Sequence, residues 1–111
     1  MKALKRLVWW LRMQRFSAGE RILHALATRG SALTLQTMAD DYGLRVQDYG
    51  LGLRWIHETL DLMEEAGLIR LDSAGAQARY VLTAKGRRLA CDSQKRQPER
   101  WQRLCELRGR P

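Results

Sequence analysis

The chain has 111 residues and a mass of 12.9 kDa, which fits one small domain. It carries 20 Lys and Arg against 12 Asp and Glu, and the resulting net charge of +8 favours polyanionic partners, nucleic acid first and an anionic membrane surface second. Nine glycines, two prolines and no low-complexity tract exclude collagen-like and disordered chains.

The apolar runs and cysteines bear on the cellular compartment. The longest uncharged apolar run near the start, Leu7 to Leu11, is too short for a transmembrane helix or the core of a signal peptide. We therefore expect a cytoplasmic protein with no membrane partner. Its two cysteines, Cys91 and Cys105, are then expected as reduced thiols and not as a disulfide.

Positive charge is unevenly distributed along the chain. Residues 1–17 carry a net +5, residues 73–90 a net +4 and residues 91–111 a net +3, whereas residues 49–72 carry a net −3. We expect a polyanion to contact the three basic stretches.

Residues 2–16 are predicted to form a basic amphipathic helix with two apolar stripes on nearly opposite sides. The first stripe consists of Leu4, Leu7, Val8 and Leu11, and the second of Trp9, Met13 and Phe16. Such a helix can pack on its own domain and keep a face for a partner. The alternatives are that the chain covers both stripes itself or that the helix lies on a membrane surface.

Three further helices are predicted before residue 68. Ser17-Ala-Gly-Glu20 is a capping box that starts the first of them, and Gly30 stands where a C-cap belongs. Residues 32–33 suit a short extended piece, and residues 35–42 a short helix. The longest helix is predicted from Asp48 to Ala66, with Gly67 ending it.

The second half of the chain predicts a β-hairpin and two helices. Residues 68–72 and 79–82 suit two short strands with a turn between them. Thr83 is a cap for a helix through about Ser93, and Pro98 suits the first position of the last helix. The apolar face of that helix consists of Trp101, Leu104 and Cys105.

Two stretches carry a resemblance to a known family. Leu60-Asp-Leu-Met-Glu-Glu-Ala-Gly-Leu-Ile-Arg70 resembles the exit from a recognition helix into a wing, and Tyr80-Val-Leu-Thr-Ala-Lys-Gly-Arg-Arg-Leu89 resembles the exit from the wing in MarR-like and PadR-like bacterial repressors. The resemblance implies a mainly α winged helix-turn-helix domain with a small β-hairpin wing over residues 17–93. The N-terminal helix (1–16) and a C-terminal helix with a basic tail (94–111) would flank it.

The resemblance implies a small transcription regulator, a repressor from a bacterium, phage or mobile element, that binds double-stranded DNA as a homodimer. Its recognition helix would enter the major groove while the wing follows the phosphates. The residues expected to contact DNA are Arg45, Arg54 and His57 in the recognition helix, Arg70, Gln77 and Arg79 in the wing, and Lys85, Arg87 and Arg88 after it. Arg54 is expected to form two hydrogen bonds to a guanine base. The alternative is that Arg54 is a solvated side chain that pairs with Glu58.

Dimerisation is expected through the terminal helices. The N-terminal helix would use either of its apolar stripes, and the C-terminal helix would use Trp101 and Leu104. The alternative function is a winged-helix protein-interaction module, an adaptor or inhibitor of a larger complex. The acidic residues 49–72 and a longer segment around residues 43–52 than is usual in these families favour that alternative.

Candidate catalytic or metal-binding residues are few. Neither His24 nor His57 has a Cys or His at metal-ligand spacing, and the adjacent acids at 40–41 and 64–65 cannot converge on one site of a helix. We therefore expect no enzyme, no metal and no cofactor. Cys105 falls on an apolar helical face, which favours a structural role over a redox role.

Overall fold

The computed structural model describes residues 2–29, 41–42, 53–72 and 79–108. Within them the chain forms five long helices and one two-stranded antiparallel sheet, which confirms the prediction of a mainly helical fold with a small hairpin. The elements are α1 (Lys2–Met13), α2 (Ala18–Arg29), α3 (Leu53–Glu65), β1 (Ile69–Asp72), β2 (Arg79–Leu82), α4 (Ala84–Arg96) and α5 (Pro98–Leu107). The predicted extended piece at 32–33 and the predicted helix start at Asp48 lie outside the described residues.

Local sequence motifs set two helix boundaries as predicted. At the start of α2, the Glu20 amide donates to Ser17 Oγ over 3.1 Å, and the Ser17 amide donates to Glu20 Oε1 over 3.2 Å. At the end of α3, the amides of Gly67 and Leu68 donate to carbonyls of the last turn over 2.9 and 3.0 Å. Gly67 has φ 75°, a conformation that glycine adopts without strain.

The sheet is followed along the chain by the two C-terminal helices. In the sheet Ile69 lies opposite Leu82. The Gly86 amide donates to the Thr83 side chain over 3.1 Å, so Thr83 caps α4 as predicted. Helix α4 runs to Arg96, beyond the predicted end at about Ser93, and Lys95 and Arg96 in its last turn complement the helix dipole.

Side chains from both terminal helices enter a single hydrophobic core. Trp9 of α1 is buried, and its indole N–H donates to the carbonyl of Leu107 in α5 over 2.6 Å. Arg100 of α5 binds Glu20 through contacts of 2.9–3.1 Å and stacks over the Phe16 ring. The described parts of the two expected extensions, residues 2–16 and 94–108, therefore share one core with the rest of the described chain.

The core changes the expected dimer surface. Trp9, Met13, Phe16 and Leu104 are 7, 0, 2 and 2% exposed, so they pack inside their own chain and are not available to a partner. Helix α1 contacts α5, and all four residues belong to one buried apolar cluster. By contrast, the other stripe of α1 stays exposed, at 57% for Leu4 and 53% for Leu11.

A substitution at Gly86 tests the packing of α4 against the sheet. A Cβ at this position would collide with the backbone carbonyl of Leu68, which cannot move aside as a side chain can. We expect Gly86→Ala to lower the free energy of unfolding by about 1–3 kcal/mol in urea. Gly19→Ala is the control, because its Cβ would meet only Ser17 Oγ at 3.9 Å. A Gly86→Ala chain as stable as the Gly19→Ala chain would contradict this packing.

Candidate nucleic-acid interface

A groove of about 820 Å³ lies between the end of α2, the sheet, α4 and α5. Among the described residues, its floor is apolar and is made by Leu26, Val81, Leu82 and Ala90. The polar groups at its sides come from three elements and include Arg70, Asp72, Arg79, Arg87 and Gln94. The groove thus combines an apolar base with a cationic rim.

Three arginines predicted to contact DNA line this groove. Arg70 and Asp72 are two residues apart on β1 and share one face of the sheet. The strand register sets Arg79 opposite Asp72 and Val81 opposite Arg70, so these partners lie on the same face. Arg87 of α4 lines the groove as well. All three arginines are exposed, and Asp72 is the one carboxylate among the described lining residues.

The other predicted DNA-contacting residues are placed differently. The Lys85 ammonium donates to the Ala66 carbonyl over 2.8 Å, at the C-terminal end of α3 where the helix dipole favours a cation. Arg88 and His57 are exposed and do not line the groove. Arg45, Gln77 and the side chain of Arg54 lie outside the described residues.

Most of the described groove residues were not predicted to contact DNA, and four of them come from the helices that surround the sheet. Thr28 comes from the end of α2, Cys91 and Gln94 from α4, and Trp101 from α5. Trp101 was expected at a dimer interface, but it is half-buried and its ring lies 4.6 Å from the ring of His24. The sequence holds no local motif for this meeting of α2, α4 and α5, because only the packing of the core brings them together.

Behind the groove, α2 buries two ionisable side chains. Arg21 is 1% exposed and donates to the carbonyl of Tyr42 over 3.2 Å, while the fully buried His24 places Nδ1 2.9 Å from the Tyr42 hydroxyl. Burial lowers the pKa of Arg21 to about 10, against the opposing effect of Glu20. Burial, with the charge of Arg108 adding to it, lowers the pKa of His24 to about 4. The imidazole is therefore neutral at physiological pH.

Two further properties concern the described residues alone. No group of three or more His, Cys, Asp and Glu side chains among them could hold a metal ion. None of the helices in those ranges is long and apolar enough to cross a membrane.

The chain was also compared with known proteins. No protein-family model, no curated protein and no solved structure matches it.

The lowered pKa of His24 predicts a specific acid sensitivity. Below pH 6.5 the unfolded chain takes up a proton at His24, whereas the folded chain does not accept it until about pH 4. This difference leaves the free energy of unfolding undiminished above pH 6.5 and lowers it as the pH falls from 6.5 to about 4. Between pH 7 and 4 we expect wild type to lose on the order of 3 kcal/mol more than His24→Gln in urea unfolding. The exposed His57, changed to Gln, is the control. Parallel stability profiles for wild type and His24→Gln would contradict the shift.

Proposed function

We propose that this protein binds double-stranded DNA, and that the groove between the sheet and α4 contacts the phosphate backbone. The observation that carries the proposal is the convergence of Arg70, Arg79 and Arg87, from three different elements, on one surface. Phosphate contacts need charge and reach, and exposed arginines at the rim of a groove supply both. The net charge of +8 acts in the same direction by attracting polyanions over a longer range.

The proposal extends to the way in which DNA is read. The order helix, sheet, helix after residue 53 is compatible with a winged helix, in which β1 and β2 are the wing and α3 is the recognition helix. In that arrangement Arg54 and His57 are the candidates for base contacts in the major groove. The function is then that of a small transcription regulator, a repressor, with no catalytic activity of its own.

The salt dependence of DNA binding tests the groove. Arg79→Gln/Arg87→Gln removes two phosphate contacts, so the slope of log K against log salt should become shallower by nearly 2. At about 0.15 M salt the same loss corresponds to roughly thirtyfold weaker binding to any duplex sequence, measured by fluorescence anisotropy.

Arg12→Gln/Arg103→Gln is the matched control for this measurement. It removes the same charge from exposed positions that do not line the groove. We expect a smaller change in slope, because these arginines act only through long-range attraction. If both double variants lost equal affinity for DNA and showed the same change in slope, net charge and not the groove would account for binding.

A second candidate function is a protein-interaction module, and the exposed stripe of α1 favours it. Leu4, Leu7, Val8 and Leu11 are 39–57% exposed in a row along one helix. Lys5 and Arg12 flank the stripe, and α1 contains no acidic residue. A homodimer formed through this stripe would bring like charges together, whereas an acidic protein partner would pair with them.

Sedimentation of variants separates these uses of the stripe. If the protein is a homodimer through α1, Leu7→Ser/Leu11→Ser should sediment as a monomer, and added salt should strengthen the wild-type dimer by screening the basic flanks. Leu62→Ser, at a 65% exposed leucine of α3, is the control and should leave the dimer intact. A wild-type monomer that captures a protein after nuclease treatment, and loses it in Leu7→Ser/Leu11→Ser, would favour the interaction module.

A further inference from the structure

Helix α3 carries an exposed acidic face that the groove does not use. Its residues follow the spacing i, i+3, i+4 and i+7, which places them on one side of the helix: Glu58, Asp61, Leu62 and Glu65. All four are exposed and none of them lines the groove. Leu62, at 65%, has the highest exposed fraction among the large apolar residues that the structure describes. The acidic face is thus a leucine beside three carboxylates.

The charge of the acidic face is available to a partner. Within the described ranges, neither Asp61 nor Glu65 has an ion-pair partner. Burial raises the pKa of the Tyr80 hydroxyl, and the charges of Glu64 and Asp61 raise it further, so the surface around Asp61 is electronegative. The Lys85 ammonium, at the C-terminal end of α3, is bonded to a backbone carbonyl.

The exposed stripe of α1 has the same spacing and the opposite charge. Its residues also follow i, i+3, i+4 and i+7, and they are Leu4, Leu7, Val8 and Leu11. Lys5 and Arg12 are exposed beside the stripe, and α1 contains no acidic residue. These two cations are seven residues apart, about 10.5 Å along a helix axis, which is also the separation of Glu58 and Glu65.

Charge decides which pairs of these surfaces fit. Both surfaces stay exposed within one chain, where α1 contacts α5 and α3 contacts α2 and β1. A symmetric contact of α1 with α1 would set cation against cation, and a contact of α3 with α3 would set carboxylate against carboxylate. A contact between α1 of one copy and α3 of another brings unlike charges together and buries leucines on both sides.

We propose that the exposed stripe of α1 in one copy of this chain docks on the acidic face of α3 in a second copy. The cations of α1 pair with the carboxylates of α3, and its leucines pack on Leu62. Because the two surfaces differ, the contact is head-to-tail, and each added copy leaves one stripe and one acidic face unused. The assembly therefore grows with concentration unless it closes into a ring.

The contact is weak, which sets the conditions for its detection. One helix on one helix face buries less than the roughly 1,200 Å² of a standard stable interface. The net charge of +8 on each copy also opposes association. At about 0.15 M salt this long-range repulsion is screened within roughly 8 Å, whereas charges in contact still attract. Protein concentrations up to about 1 mM are therefore required.

Two variants, each lacking one surface, test the direction of the contact by sedimentation. Leu7→Ser/Leu11→Ser removes the apolar stripe and keeps the acidic face, and Asp61→Lys/Glu65→Lys does the reverse. We expect wild type to sediment faster as its concentration rises toward about 1 mM, and each variant alone to stay monomeric. The equimolar mixture should form a 1:1 heterodimer and nothing larger, because only one intact pair of surfaces is left.

Asp92→Lys/Glu106→Lys is the matched control for the added positive charge. It changes two exposed carboxylates outside α1 and α3, and we expect it to associate as wild type does. Leu62→Ser provides a second variant of the acidic face that leaves the charge unaltered, and it should weaken self-association. A symmetric contact of α1 with α1, by contrast, would not depend on Leu62.

Four results would overturn the proposal. Two of them are a wild type that stays monomeric over the whole range and an equimolar mixture that stays monomeric. The third is an Asp61→Lys/Glu65→Lys chain that dimerises alone, which would assign the stripe to a symmetric contact. The fourth is an Asp92→Lys/Glu106→Lys chain that loses association equally, which would assign the loss to net charge. All these measurements are made without DNA, so their outcome is independent of the proposed DNA binding.

Discussion

The main physical constraint in this structure is the burial of Arg21 and His24 on the same helix. A buried polar group without a hydrogen-bond partner is costly, and a buried cation is costlier still. Both side chains find a partner in Tyr42, which offers its carbonyl to Arg21 and its hydroxyl to His24. Tyr42 is therefore tied to α2 by polar contacts as well as by apolar packing.

The same helix organises the rest of the described chain. It contacts α3, β2, α4 and α5, and Glu20 in its first turn accepts hydrogen bonds from Arg100 of α5. At its C-terminal end, Thr28 accepts from Arg108 and also borders the groove. Helix α2 thus contacts two of the elements that carry the cationic rim, β2 and α4, as well as α5.

The sequence predicts the parts of this fold that local chemistry determines. The Ser17–Glu20 capping box, Gly67 at the end of α3, Thr83 as a cap and Pro98 at the start of α5 all act within four residues of their own position. The prediction of the two hairpin strands is also confirmed. It could be made because the apolar residues of the strands and the turn composition between them are local features.

The candidate sites required the tertiary structure. Both stripes of α1 are apolar, and only the position of α5 decides that Trp9 is buried while Leu4 is exposed. Lys85 was predicted as a phosphate contact, but it binds the carbonyl of Ala66. The contact of His24 with Cys105 joins residues 81 positions apart, and no spacing rule in a single sequence reveals such a pair.

Amide chemical-shift mapping by NMR during titration with a short DNA duplex tests the central claim most directly. It reports the contacted surface without any substitution. The account predicts that the largest shifts fall on β1, β2 and the groove-facing side of α4, around Arg70, Arg79 and Arg87, and that they fade as salt is added. Shifts confined to α1, or no shifts at low salt, would contradict it.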